Sequence, residues 1–402
     1  MRYIDQLLQG AEVEWKTIKD VCVNICSGGT PATSNRAYYQ GDIPWLRTQE
    51  VNWNEVYSTD IKISEEAIKD SAAKIIPANC VIVAMYGATA AKACINKRPL
   101  ATNQACCNLQ VNEKIALNKY VYYWFYREYN NLKSLGEGSQ SNLNGGKIKA
   151  YPIPIPPLHV QQEIVRILDK FTELETELET ELELRKQQYE RYHDLLLSPD
   201  DPGRRGINTM IELGEIGEVR MCKRILKRQT SAVGDIPFYK IGTFGKTADA
   251  YIPRELFETY KAKYNYPNKG EILISASGTI GRSVIFDGKE SYFQDSNIVW
   301  IENNERFVLN KYLFYCYQII QWNVADGGTI DRLYNDYLKK TRIPVPYLND
   351  AEKSLKEQQR IVSVLDKFHT LTTSISDGLP REIELRKQQY AYYRDQLLSF
   401  ER

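Results

Sequence analysis

From residue 160 to residue 198 the apolar positions advance in alternating steps of four and three. Of positions 164, 168, 171, 175, 178, 182, 185, 189, 192 and 196, eight are Ile164, Leu168, Phe171, Leu178, Leu182, Tyr189, Tyr192 and Leu196; only Glu175 and Arg185 interrupt. Such spacing keeps one stripe along one side of a helix and calls for a partner helix against it. Pro154, Pro156 and Pro157 precede the stripe and Ser198-Pro199 follows it, so the pattern predicts a single helix over 160–198, ~60 Å long at ~1.5 Å per residue. Elsewhere the pattern is different. Cys80 to Ala84 and Glu271 to Ser275 are short, mostly apolar runs leading into turns at Gly87 and Gly278, which suits buried strands. Asn118 to Arg127 and Asn310 to Tyr317 read as short aromatic-rich helices. The predicted fold class is therefore α/β: two mixed α/β globular blocks and long helical segments.

The chain also repeats itself. The run from Gln161-Gln162-Glu163-Ile164-Val165 to Asp169-Lys170-Phe171 returns from Gln358-Gln359-Arg360-Ile361-Val362 to Asp366-Lys367-Phe368, an offset of 197. Glu183-Leu184-Arg185-Lys186-Gln187-Gln188-Tyr189 returns unchanged at Glu384 to Tyr390, an offset of 201, so the second copy holds four extra residues between these anchors. Seven identical residues in a row mark a duplicated unit. Fainter echoes link the blocks: Gly41-Asp42-Ile43-Pro44 with Gly234-Asp235-Ile236-Pro237, Leu117-Asn118-Lys119-Tyr120 with Leu309-Asn310-Lys311-Tyr312, and Ile153-Pro154-Ile155-Pro156 with Ile343-Pro344-Val345-Pro346. Between these anchors the blocks differ almost everywhere, as expected of one scaffold carrying two different surfaces. Tyr-x-Asp-x-Leu-Leu occurs at Tyr3, Tyr192 and Tyr393, which predicts that the two ends of the chain lie together. The second copy of the helix, over 357–400, supplies the partner for the first. Because the chain must return, the pair is expected to be antiparallel with one block at each end.

Three tandem Thr-Glu-Leu-Glu tetrapeptides occupy 172–183. Each adds ~6 Å and ~40° of rotation to a helix. Losing or gaining one would therefore shift whatever stands at the two ends of the helix by a discrete step. The second copy has Asp377-Gly378-Leu379-Pro380 at the equivalent place, which predicts a kink or restart.

Charge alters the picture once it is localised. The 402 residues carry a net charge of +1, but residues 161–198 hold 5 basic and 10 acidic side chains. Residues 1–160 and 199–356 are each mildly basic, a distribution that permits nucleic-acid binding without requiring it. With 43% hydrophobic and 26% charged residues the chain is globular rather than disordered. No apolar run approaches membrane-span length, and the polar opening Met1–Gly10 is no signal peptide. Eight cysteines without a CxxC pair read as reduced thiols in a cytoplasm.

Catalytic material is scarce. His159, His193 and His369 stand far apart, which disfavours zinc or histidine chemistry. Gly242 to Thr247 ends like a phosphate loop, but Lys240 stands where a Walker loop needs its first glycine. Gly278-Thr279-Ile280-Gly281 is only a GxxG turn. Ile155-Pro156-Pro157-Leu158 lacks the Asn or Asp of an amino-methyltransferase motif, and Pro199-Asp200-Asp201 lacks the rest of a nuclease centre. The residues read as a binding protein with no catalytic or metal-ligating site.

Several motifs now coincide: Ser27-Gly28-Gly29-Thr30-Pro31, Ile43-Pro44-Trp45-Leu46-Arg47, Met85-Tyr86-Gly87-Ala88-Thr89, Thr102-Asn103-Gln104-Ala105-Cys106-Cys107, Gln161 to Val165 and the two Glu-Leu-Arg-Lys-Gln-Gln-Tyr runs. With them the chain resembles, over essentially its full length, the specificity subunit of type I restriction-modification enzymes. The resemblance implies a non-catalytic subunit whose two target recognition domains (1–157 and 199–354) each read half of a split double-stranded DNA target. The central helix (158–198) and the C-terminal helix (355–402) separate them. It also implies two adenine-methylating subunits docked on the helices and carrying S-adenosylmethionine, with restriction subunits completing the enzyme and no membrane partner. The family associates tandem tetrapeptides with the length of the unread spacer. The alternatives are a structural assembly protein tethering two protein-binding modules and a self-sufficient methyltransferase, the latter opposed by the missing motifs.

Bases in the major groove are distinguished by Arg or Lys on guanine and by Asn or Gln on adenine. Matched loops nominate Arg47, Thr48, Gln49, Tyr86, Thr89, Asn103, Gln104, Gln140 and Asn142 in the first block. In the second they nominate Lys240, Thr243, Ser277, Thr279, Arg282, Gln294, Asn297, Thr329 and Arg332. Phe171, Tyr189, Phe368 and Tyr390 are the candidates for docking partner subunits, with packing of the helix pair as their other possible role.

Overall fold

The computed structural model describes residues 3–136, 142–198, 208–322, 332–374 and 376–401. Two compact units result: residues 1–179 with 382–402, and residues 180–381. The division passes through the central helix, Leu158–Leu197, so each unit joins one globular block to segments of both long helical regions.

In the first unit a five-stranded sheet runs in the order Cys22–Ser27, Cys106–Val111, Val81–Ala84, Ala93–Asn96, Glu55–Val56. Beside it lies a four-stranded sheet in the order Lys62–Ile63, Ile43–Leu46, Leu100–Thr102, Ile75–Ile76. The unbroken run at 81–84 is explained by burial on both faces. Val81 and Val83 enter the core beneath the helix Asn118–Arg127, while Ile82 and Ala84 join Leu46, Cys94 and Cys106 on the other side. The second unit repeats the plan with the sheet order Val219–Met221, Ile298–Ile301, Ile272–Ser275, Ser283–Ile285. There Ile272 and Ile274 face one core and Leu273 the other. In each unit the proline-rich strand, Pro152–Ile155 or Arg342–Pro346, sits in a two-stranded sheet, where a residue without an N–H is tolerated.

The duplicated residues are those that lock helix to block. Gln161, fully buried, accepts from Leu117 N (3.0 Å) and donates to Ile115 O (3.1 Å) and Pro156 O (2.8 Å). Gln358 likewise accepts from Leu309 N (2.9 Å) and donates to Phe307 O (2.8 Å) and Ser354 Oγ (3.0 Å). Asp169 receives Lys119 Nζ (2.8 Å) and the Tyr123 hydroxyl (2.6 Å); Asp366 receives Lys311 and the Tyr315 hydroxyl. Burial first, and then the neighbouring carboxylate, pushes the Tyr123 and Tyr315 phenols up, so both remain donors. Tyr120 and Tyr312 each donate to a proline carbonyl, Pro154 O and Pro344 O, at 2.8 Å.

The helical segments pair antiparallel within each unit. In the first, Phe171 stacks on Tyr393 (5.3 Å between centroids) beside Tyr390, while Lys387 Nζ meets Glu175 (3.3 Å) and Glu179 (2.8 Å). Glu175, which interrupts the apolar stripe, is thus answered by a lysine of the paired helix. Arg185, the other interruption, pairs with Glu181 on its own helix (2.7 Å). In the second unit Tyr192 stacks on Phe368 (5.4 Å), and Leu196 and Leu197 share a core with Ile361, Val362 and Leu365. The C-terminal helix is interrupted, as its sequence predicts, into Ala351–Thr373 and Leu379–Leu397. Gly378 lies at the break, where a Cβ would stand 2.5 Å from Thr370 O. Both chain ends belong to the first unit: Ile4 shares its core with Leu397 and Leu398, and Trp15 Nε1 donates to Glu401 O (3.0 Å). Among the described residues no helix is long and apolar enough to cross a membrane.

Candidate nucleic-acid interface

At one edge of the first block, backbone hydrogen bonds gather the nominated residues. Strand Ile43–Leu46 runs parallel to Leu100–Thr102, and Asn103 N donates to Leu46 O (2.9 Å), so Arg47 and Asn103 emerge side by side. Met85 N donates to Ala105 O (2.8 Å) and Leu143 N to Met85 O (2.9 Å), which draws in Tyr86 and Asn142. The Thr89 hydroxyl ties its turn to Thr48 O (2.6 Å). The glycines of Ser27-Gly28-Gly29-Thr30-Pro31 serve close approach: a Cβ at Gly28 would stand 2.0 Å from Thr102 O, and one at Gly29 2.3 Å from the Ala72 carbonyl carbon. Thr30 can therefore donate its hydroxyl to the Gln104 amide oxygen. Arg47 lies between Glu50 (3.6 Å) and Asp60 (3.7 Å), with the Gln49 amide oxygen facing its guanidinium.

The second block builds the same edge from other side chains. Gln294 N donates to Tyr239 O (2.9 Å) and its amide oxygen accepts from Ile241 N (3.0 Å). Lys240 Nζ pairs with Asp249 (2.8 Å), and Lys240 N donates to the Thr243 hydroxyl (3.1 Å). Ser277 donates to Asn297 Oδ1 (2.9 Å), and Arg332 Nη2 donates to Ser296 Oγ (3.2 Å) and Asn297 Oδ1 (3.4 Å). Arg282 caps Phe244 O (3.1 Å), and the Thr279 carbonyl accepts from the Ser275 hydroxyl.

Gln49, Tyr86, Gln104, Asn142 and Thr279 are exposed. The hydroxyls of Thr89 and Thr243 are engaged by the loops' own backbone, and Ser277 is buried, so these three shape the edge. Gln140 and Thr329 lie outside the described residues. Phe171, Tyr189, Phe368 and Tyr390 pack across the helix pairs of their own units.

No group of three or more His, Cys, Asp or Glu residues suited to a metal ion occurs among the described residues. All eight cysteines are free, and burial pushes the Cys22, Cys80 and Cys222 thiols up to about 12, far from a reactive thiolate.

A family model described as the type I restriction modification DNA specificity domain matches residues 11–184 and again 208–385. The chain belongs to the type I specificity-subunit family. Its two matched domains carry recognition, and the methylation and restriction activities of such systems lie in other subunits. A putative type I restriction enzyme specificity subunit of Haemophilus influenzae is 46% identical, covering 99% of this chain and 98% of the relative. The EcoR124I/EcoR124II specificity subunit of Escherichia coli is 35% identical over 71% of each chain. The fold matches the crystal structure of a type I restriction-modification S subunit from M. genitalium with a TM-score of 0.56 at 14% identity, covering 98% of both chains.

One basic side chain at this edge is not among the nominated residues. Arg224 Nε pairs with Asp295 Oδ2 (3.1 Å), directly beside Ser296 and Asn297. The available signal was the basic run Arg220, Lys223, Arg224, Lys227 and Arg228, which contains no acidic residue.

Proposed function

We propose that this chain reads a bipartite double-stranded DNA target, one half with the loop edge of each unit, and docks two adenine-methylating subunits on its helices. Those subunits would bind S-adenosylmethionine, restriction subunits would complete the enzyme, and the assembly would work in the cytoplasm. The observation that carries the reading is the contrast within the duplication. Backbone hydrogen bonds at the loop edges recur in both units while the side chains they present differ, as two readers of unlike sequences require. The helices contrast with this. Within the identical seven-residue run, Glu183, Leu184, Lys186 and Gln187 are exposed, and so are their counterparts Glu384, Leu385, Lys387 and Gln388. Lys387 also meets Glu175 and Glu179 of the paired helix, but internal packing gives the exposed Leu184 and Leu385 no reason to stay identical; two copies of one partner do. Phe171, Tyr189, Phe368 and Tyr390 would position these faces from beneath.

Modification-sensitive sequencing of DNA from cells expressing the methylation subunit, with and without this chain, tests the reading. The expected result is adenine methylation at a single bipartite motif only when the chain is present. Sequence-independent or absent DNA binding by the assembled complex would overturn it in favour of an assembly protein tethering two protein-binding modules.

A further inference from the structure

The loop edges can be superposed by hydrogen bond rather than by sequence. Leu143 N and Leu333 N donate to Met85 O and Ala276 O, each at 2.9 Å, and Met85 N and Ala276 N donate in turn to Ala105 O and Asn297 O, at 2.8 and 2.7 Å. Asn142 therefore corresponds to Arg332, and Gln104-Ala105 to Ser296-Asn297. The occupants differ in kind. In the second unit three consecutive residues seat two guanidinium groups: Asp295 holds Arg224, and Ser296 and Asn297 hold Nη2 of Arg332. Ser296 takes up a left-handed backbone (φ +54°), uncommon outside glycine, while the Ser277 hydroxyl braces Asn297. Among the described residues Nη2 is the only guanidinium nitrogen of Arg332 with a partner, which leaves Nε and Nη1 to donate to a ligand. Among the described residues the matching stretch of the first unit seats no cation. Gln104 holds the Thr30 hydroxyl, Asn103 keeps a buried amide oxygen without a partner, and Asn142 is an exposed carboxamide.

We propose that position 142/332 is a specificity-determining position at which the two half-sites differ: Arg332 reads a guanine and Asn142 an adenine. A guanidinium fork donates twice, which suits the O6 and N7 acceptors of guanine; a carboxamide offers one donor and one acceptor, which suits N7 and N6 of adenine. Arg224, paired with Asp295 and 70% exposed along its side chain, serves as a phosphate-positioning cation. This assignment rests on the DNA-reading function proposed above.

The test uses the native chain assembled with its methylation subunits and a duplex bearing the motif found by sequencing. Replacing guanines of the half-site read by residues 208–346 one at a time with 7-deazaguanine removes the N7 acceptor. One replacement is expected to weaken binding about tenfold. In modification sequencing, Arg332→Gln should relax or change the base preference at one position of that half-site and leave the other half unaltered. Arg224→Ala should weaken all duplexes alike and lower the salt slope by about one. The proposal is overturned if that half-site has no guanine, if no 7-deazaguanine weakens binding, or if a modifying Arg332→Gln complex keeps the native motif. Should Arg332→Gln abolish modification altogether, the 7-deazaguanine series on the native complex decides. Absence of any bipartite motif would defeat the underlying function instead.

Discussion

Gln161 offers the sharpest view of why the duplicated residues recur. Its side chain is fully buried and joins three backbone groups, Leu117 N–H, Ile115 C=O and Pro156 C=O, at 2.8–3.1 Å. Gln161→Met keeps the length and volume of the side chain, so the packing term is small, and leaves all three groups without partners. An unsatisfied buried group costs ~1–3 kcal/mol. Because the Leu117 and Ile115 bonds are only partly buried, water can replace part of their loss, so the expected destabilisation is ~2–4 kcal/mol. Urea unfolding measures the total, and hydrogen exchange locates it: protection should fall around 115–117 and 156–165 and hold in 208–322. Gln358→Met should do the reverse, with exchange rising around 307–309 and 354–362. A loss below ~1 kcal/mol, or an exchange increase spread equally over both units, would refute the view that the repeated glutamines are local locks.

Three other outcomes follow from particular residues. Gly281 has φ +80°, and a Cβ there would stand 2.1 Å from Trp322 Nε1; Gly281→Ala should therefore cost about 2 kcal/mol or more in urea unfolding. Burial holds the His193 imidazole below its ordinary value of 6.5, so the unfolded chain takes up a proton first as the pH falls. Stability should be full above that value and decline below it, and His193→Gln should flatten the decline between pH 7 and pH 5 in urea titrations. Deleting Thr176 to Glu179 shortens a helix by ~6 Å; modification sequencing should return both half-sites unchanged with an altered spacer, and an unaltered spacer would dismiss this role for the tetrapeptides.

The sequence disclosed most where a local pattern has a single structural solution. The four-three stripe foretold the helix observed at Leu158–Leu197, Asp377-Gly378-Leu379-Pro380 foretold the break before Leu379, and Tyr-x-Asp-x-Leu-Leu foretold that the chain ends lie together, as Ile4 and Leu397 do in one core. Relations between distant residues were hidden. Nothing local pairs Leu46 with Thr102 in parallel, and Gln161 and Asp169 look like solvated residues of a polar helix until Leu117, Lys119 and Tyr123 arrive from elsewhere in the chain. At the loop edges, motif matching located the backbone but could not tell a hydroxyl held internally, such as that of Thr89 or Thr243, from an exposed side chain such as Gln49. Arg224 escaped because its position depends on Asp295, 71 residues away.

The central claim is that one chain carries two separate readers built on one plan. Exchanging residues 205–345 for the corresponding segment of another specificity subunit, and sequencing the methylated DNA, tests it most directly. One half of the bipartite motif should change to that of the donor while the other half stays as it was. A change in both halves, or in neither, would contradict it.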